Sequence, residues 1–144
     1  MRAGGALPVD ELHAAHLVVL GTWALLVLVE GVLELSARAG LGPRRVARAH
    51  YWLDLLVEAP LLVSVLATGV LLTIRAWPPS PLLAVKIVCA LTAIGLNAYC
   101  MVHVVLRHRR ADDPEALAHH GRRVLWSGLG IAPALVAAYI GLAL

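Results

Sequence analysis

Apolar residues run almost unbroken through four stretches of the chain, 12–35, 46–74, 82–106 and 124–144, and polar residues gather between them. Each stretch supplies the ~20 residues a helix needs to cross the hydrocarbon core of a bilayer. The pattern predicts four transmembrane helices joined by three short connections and preceded by a brief lead. Little chain is left for a second unit, so residues 1–144 read as one domain, an all-α integral membrane four-helix bundle. The first stretch is too long for the apolar part of a cleaved signal peptide and carries glutamates, so it reads as a retained helix.

Composition points to the same solvent. Hydrophobic residues make up 60 % of the chain, charged residues 15 %, and the mean hydropathy is +0.82, far from a soluble domain. The first connection carries Arg38, Arg44, Arg45 and Arg48, and the third carries Arg107, Arg109, Arg110, Arg122 and Arg123. Lys and Arg beside helix ends are retained in the cytoplasm during insertion. These connections are therefore expected inside, with both termini and the Trp77-Pro78-Pro79-Ser80-Pro81 turn on the exterior, periplasmic side, where only Arg2 and Arg75 flank a helix. The formal charge of +3 is then a topology signal, and a nucleic-acid partner is not expected. Gly40-Leu41-Gly42-Pro43 and Asp112-Asp113-Pro114-Glu115 read as turn and helix-start chemistry. The Ala, Leu, Val and Arg bias hints at a GC-rich bacterial genome, and the expected location is a bacterial inner membrane.

Against that background the intramembrane acids stand out. Glu30 and Glu34 lie four apart late in the first helix, and His50, Asp54 and Glu58 are spaced four and four early in the second. Residues four apart share a helical face, and antiparallel neighbours bring these two stripes to similar depth. Asn97, Cys100 and His103 occupy the same half of the third helix, and His119 and His120 precede the fourth. Charges at such depth need partners or ions. Glu30, Glu34, His50, Asp54, Glu58 and His103 are the candidate metal ligands, an inventory similar to the dinuclear carboxylate sites of four-helix bundles. The Glu-x-x-His signature of that class is absent. Mixed oxygen and nitrogen donors suit iron, manganese or zinc, as one ion or two. The competing reading pairs the acids with Arg38, Arg45, Arg48, Arg107 or Arg123 reaching down from the cytoplasmic ends.

A second polar group is expected near the exterior. Lys86, the sole lysine, lies about one turn inside the third helix, level with His16 and one turn below His13. Imidazole and amine together can hold an anion, ligate haem iron through His16 or relay protons; the alternative is that Lys86 snorkels to headgroups. His16, Trp23 and Glu30 recur every seven residues, placing both sites on one face. A first-helix histidine, a tight Pro-containing second turn and a third-helix lysine within Leu83-Ala84-Val85-Lys86-Ile87-Val88 resemble the HemJ-type protoporphyrinogen oxidases and CopD-like membrane proteins. The resemblance implies a four-helix membrane fold, bound haem and a functional pair at His16 (or His13) and Lys86, with His16 and His13 as the cofactor-binding candidates. The cluster of acids is not part of that group's pattern.

Three functions follow as expectations. The first is a metalloprotein, using iron or zinc for redox or hydrolytic chemistry on a lipophilic small-molecule substrate that enters from the bilayer. The second is a small carrier of protons or metal cations, for which four short helices would need a homodimer. The third is a haem-dependent oxidoreductase using His16 and Lys86. Other chemistry has less to stand on. Cys89 and Cys100 are too far apart on one helix to bridge and are expected as free thiols. Ser64 and Ser127 lack a nucleophile elbow. Trp23, Trp52, Trp77, Trp126 and Tyr99 read as packing or interface aromatics.

Overall fold

The computed structural model describes residues 8–40 and 42–143. Arg2, Leu41, Leu144 and the side chain of Arg38, which enter the expectations above, lie outside the described residues. Four helical rods, all long and apolar enough to cross a membrane, span Val9–Ala37, Pro43–Arg75, Pro81–Arg109 and Pro114–Ala143. The first rod is α1 (Val9–Arg38) and the third is α4 (Pro81–Arg109). The second is α2 (Pro43–Leu53) joined through a π turn, Asp54–Glu58, to α3 (Ala59–Arg75). The fourth is α5 (Pro114–Ser127) joined through a 3-10 turn, Gly128–Gly130, to α6 (Ile131–Ala143).

Local chemistry sets the starts. Pro43, Pro81 and Pro114 each open a rod, where the missing N–H has no intrahelical partner to lose. The Ser80 hydroxyl accepts from Leu83 N (3.2 Å), and Asp113 Oδ1 accepts from Glu115 N (2.9 Å) and Ala116 N (3.2 Å), which caps otherwise orphaned donors. Gly40, at φ +112°, takes the turn after α1 through a backbone region open to glycine. The fourth rod begins at Pro114 rather than at 124, so His119 and His120 lie inside a helix. Its first ten residues are too polar for a hydropathy window, yet the Asp113 cap starts the helix there.

Both interruptions precede a proline. Pro60 cannot donate to the Leu56 carbonyl, and its ring crowds that turn; the preceding turn opens, and Ala59 N–H bonds to the Asp54 carbonyl instead. Pro133 follows the other interruption, where the turn tightens instead and Ile131 N–H bonds to the Gly128 carbonyl.

Charged side chains share the core with apolar ones such as Leu12, Val46 and Val104. Glu58 is among the most buried side chains, at 1 % exposure, with Asp54 and His50 at 2 % and Arg107 at 3 %. Leu28, Val32, Val63, Leu135 and Leu142 are all more than half exposed. The hydroxyls of Thr22, Ser36, Ser64, Thr68, Thr73 and Thr92 fold back onto the carbonyl four residues earlier, satisfying themselves without water. Laterally, α1 packs on α3 and α2, α2 packs on α4, and α4 packs along both α5 and α6. The first rod meets the fourth at α5, with little contact along α6.

Candidate metal centre

One turn of α1 and two turns of the second rod place the cluster. Glu30 and Glu34 project from α1 toward His50, Asp54 and Glu58 of the second rod, and all five are buried. His50 is the hub. Its Nδ1 lies 2.6 Å from Glu34 Oε1, and its Nε2 lies 3.2 Å from Asp54 Oδ1 and 3.8 Å from Glu30 Oε2. Arg107 Nη1 donates to both Glu34 oxygens, at 2.6 and 2.8 Å. Glu34 can only accept, so His50 Nδ1 donates to it, and in the neutral ring Nε2 carries the lone pair that faces Asp54 and Glu30.

Glu58 is held differently. Its Oε1 accepts from Trp23 Nε1 (3.1 Å) and from Asn97 Nδ2 (2.6 Å). Trp23, expected as a packing aromatic, is thus a polar partner of the cluster. Its seven-residue spacing from Glu30 was the signal available in the sequence.

The remaining atoms have no such partners. Among the described residues Glu30 Oε1 and Asp54 Oδ2 are buried without a hydrogen bond, and His50 Nε2 and Asp54 Oδ1 have only each other, at 3.2 Å. The Nε2–Asp54 contact is short enough for one but misaligned. Ligand atoms from Glu30, His50 and Asp54 all lie within 4.8 Å of one another. Donors held about 2.0–2.2 Å from one ion sit up to ~4.3 Å apart, so a small side-chain movement closes this triad around a cation. Two carboxylates would balance a divalent charge, and Glu34 on the far side of His50 supplies the carboxylate that orients a ligating imidazole.

Three expected ligands are placed elsewhere. Glu34 is engaged by Arg107 and His50, as the arginine-pairing alternative anticipated. Glu58 is engaged by Trp23 and Asn97. His103 turns to the fourth rod, with its Nδ1 2.9 Å from His120 Nδ1 and its ring edge-on to Tyr99 at 4.5 Å. The reason is local: Arg107, one turn further along α4, fills the position facing Glu34, while the early start of α5 brings His120 beside His103.

Two chambers flank this cluster. The inner one, of about 250 Å³, is lined by Glu30, Glu34, His50, Asn97 and Cys100. The outer one, of about 550 Å³, holds His13, His16, Arg75 and Lys86, with no Asp or Glu among its described lining residues. Trp23 lines both. His16 and Lys86 are therefore brought to one chamber. Thr68 donates to the Ser64 carbonyl and accepts from His16 Nδ1 at 2.7 Å, and Lys86 extends over Gly141, where a Cβ would fall 2.7 Å from Nζ. Cys89 and Cys100 are free thiols.

Against known proteins, the chain matches no family model, no curated protein and no solved structure.

Proposed function

We propose that the chain spans a bacterial inner membrane four times with both termini outside, and that Glu30, His50 and Asp54 bind a transition-metal ion within it. The supporting observation is the convergence of buried ligand atoms of Glu30, His50 and Asp54 within 4.8 Å of one another, with Glu30 Oε1 and Asp54 Oδ2 left without a hydrogen bond among the described residues. Leaving such atoms dry without a cation costs several kcal/mol in order of magnitude. The nitrogen and oxygen set suits iron, manganese or zinc better than soft copper. Three protein ligands leave coordination positions open toward the inner chamber, and a metal there supplies Lewis-acid or redox chemistry to a lipophilic substrate. Glu34 fixes the tautomer and plane of His50, while Trp23 and Asn97 hold Glu58 beside the site.

Metal analysis of the detergent-purified chain tests this reading. Stoichiometric iron, manganese or zinc is expected, lost in Asp54→Ala and His50→Ala, and bound about 10–100-fold more weakly in Glu34→Gln. A chain that takes up none of the three ions refutes it. A second reading places haem in the outer chamber. It is favoured by the Thr68 bond to His16 Nδ1, which leaves Nε2 for iron. Haem titration should then give a Soret band that His16→Ala removes; no band after supplementation discards it.

A further inference from the structure

We infer that the inner chamber is a lateral binding site for an uncharged, hydroxyl-bearing lipophile that enters from the bilayer between the first and fourth rods. This deepens the membrane-spanning metal reading above and names its substrate class. The mouth is visible in the rim. Leu28 and Gly31 on α1, and Leu125, Gly128 and Leu135 on the fourth rod, line the chamber and are exposed on the outside of the molecule. A Cβ added at Gly31 or Gly128 meets nothing within 4 Å, so both rim positions open onto free space. The sparse contact between α1 and α6 continues it.

The occupant follows from the lining. The rim is apolar and set at the depth of the acyl chains, where a charged head group would be expensive to carry. Inside, Glu30 and Glu34 line the chamber and no Lys or Arg does among the described residues, which disfavours an anion. The polar atoms left over are acceptors. Asn97 commits its amide nitrogen to Glu58, which fixes the amide orientation, and its Oδ1 is buried without a partner. Ser127, also lining the chamber, is already engaged: it donates its hydroxyl hydrogen to the Val124 carbonyl and its oxygen lies against the Cys100 thiol. A buried acceptor without a donor is unfavourable, and an O–H group answers it. At about 250 Å³ the chamber is below the size that holds a whole drug-sized ligand, so it takes a slender chain end or a small head group with the remainder in lipid.

Photolabelling with 3-azioctanol, on the metal-free full chain in phosphatidylcholine liposomes, reads this directly by peptide mass spectrometry. Label is expected at the rim, on Leu28, Leu125 or Leu135. It should be competed by 1-octanol but not by nonane, and be abolished in Gly31→Leu, which plugs the mouth. Asn97→Leu should raise the octanol needed for competition ~5-fold, the equivalent of one hydrogen bond. Gly128→Leu serves the same purpose on the opposite wall if Gly31→Leu does not fold. Label spread evenly over the apolar surface, or equal competition by nonane, overturns the inference. Because no metal is added, that outcome is distinct from a failure of metal binding, which the element analysis reads separately.

Discussion

Glu34 and Asp54 are both buried carboxylates beside the same imidazole, yet their surroundings differ. Arg107 and His50 satisfy Glu34, while Asp54 has only the His50 Nε2 contact at 3.2 Å, and its Oδ2 has no hydrogen bond among the described residues. Removing one member of a buried ion pair is far costlier than removing both, because the survivor stays charged and dry. Arg107→Met is therefore expected to destabilise the chain by about 3–5 kcal/mol, and the double variant Arg107→Met with Glu34→Gln should recover most of the loss. Chemical unfolding in micelles, run as a double-mutant cycle, measures it; additive losses would show that the pair is not coupled. At this scale the sequence was legible as spacing. The four-residue intervals through Glu30, Glu34, His50, Asp54 and Glu58 placed all five in one interior, as found. Which cation would reach Glu34 was not legible, because Arg45, Arg48, Arg107 and Arg123 all flank the same ends and only the packing of α4 selects Arg107. Beneath it Gly121 leaves room, with an added Cβ 3.7 Å from the guanidinium carbon.

The second rod owes its shape to one proline. A continuous α-helix through Asp54–Glu58 would press the Pro60 ring against the Leu56 carbonyl, and the π turn relieves this at the point where the acids sit. Such turns often mark functional positions. Here it sets the angle between the His50–Asp54 side and Glu58. Pro60→Ala allows the turn to tighten, so metal affinity is expected to fall about tenfold while thermal stability is kept or raised, alanine being the better helix former. Equilibrium metal titration beside a melting curve separates the two effects; unchanged affinity would mean that the wide turn plays no part in the site. Neither this turn nor the one at Gly128–Gly130 was foreseen. Apolar runs carry no information on hydrogen-bond register, and the only clues were Pro60 and Pro133. The early start of α5 was half legible, since Asp113-Pro114 announces a helix that hydropathy alone begins ten residues later.

For the whole molecule, the deciding feature is that charge is inside and leucine is outside. A fold that buries Glu58, Asp54, His50 and Arg107 while exposing Val32 and Leu142 presents four rods long and apolar enough to cross a membrane, and hydropathy made these rods readable from the chain. Orientation is a separate matter, carried only by where the arginines fall. Arg107, Arg109 and Arg110 close α4 and Arg122 and Arg123 lie on α5; in the short connection between these helices the Asp112 side chain is fully exposed, in a surface contact with Arg44 at 3.5 Å that contributes little to stability. Ala76 lies exposed at the other end, beside the proline turn. With Cys89 and Cys100 replaced by alanine, single cysteines at these two positions report the sidedness. A membrane-impermeant maleimide on intact cells should label Ala76→Cys, and should label Asp112→Cys only after permeabilisation. The inverse pattern would put the metal cluster nearer the exterior and the His16–Lys86 chamber toward the cytoplasm. Equal labelling of both before permeabilisation would mean that the rods do not cross the membrane, and the buried acids would then be reached by water through an open bundle.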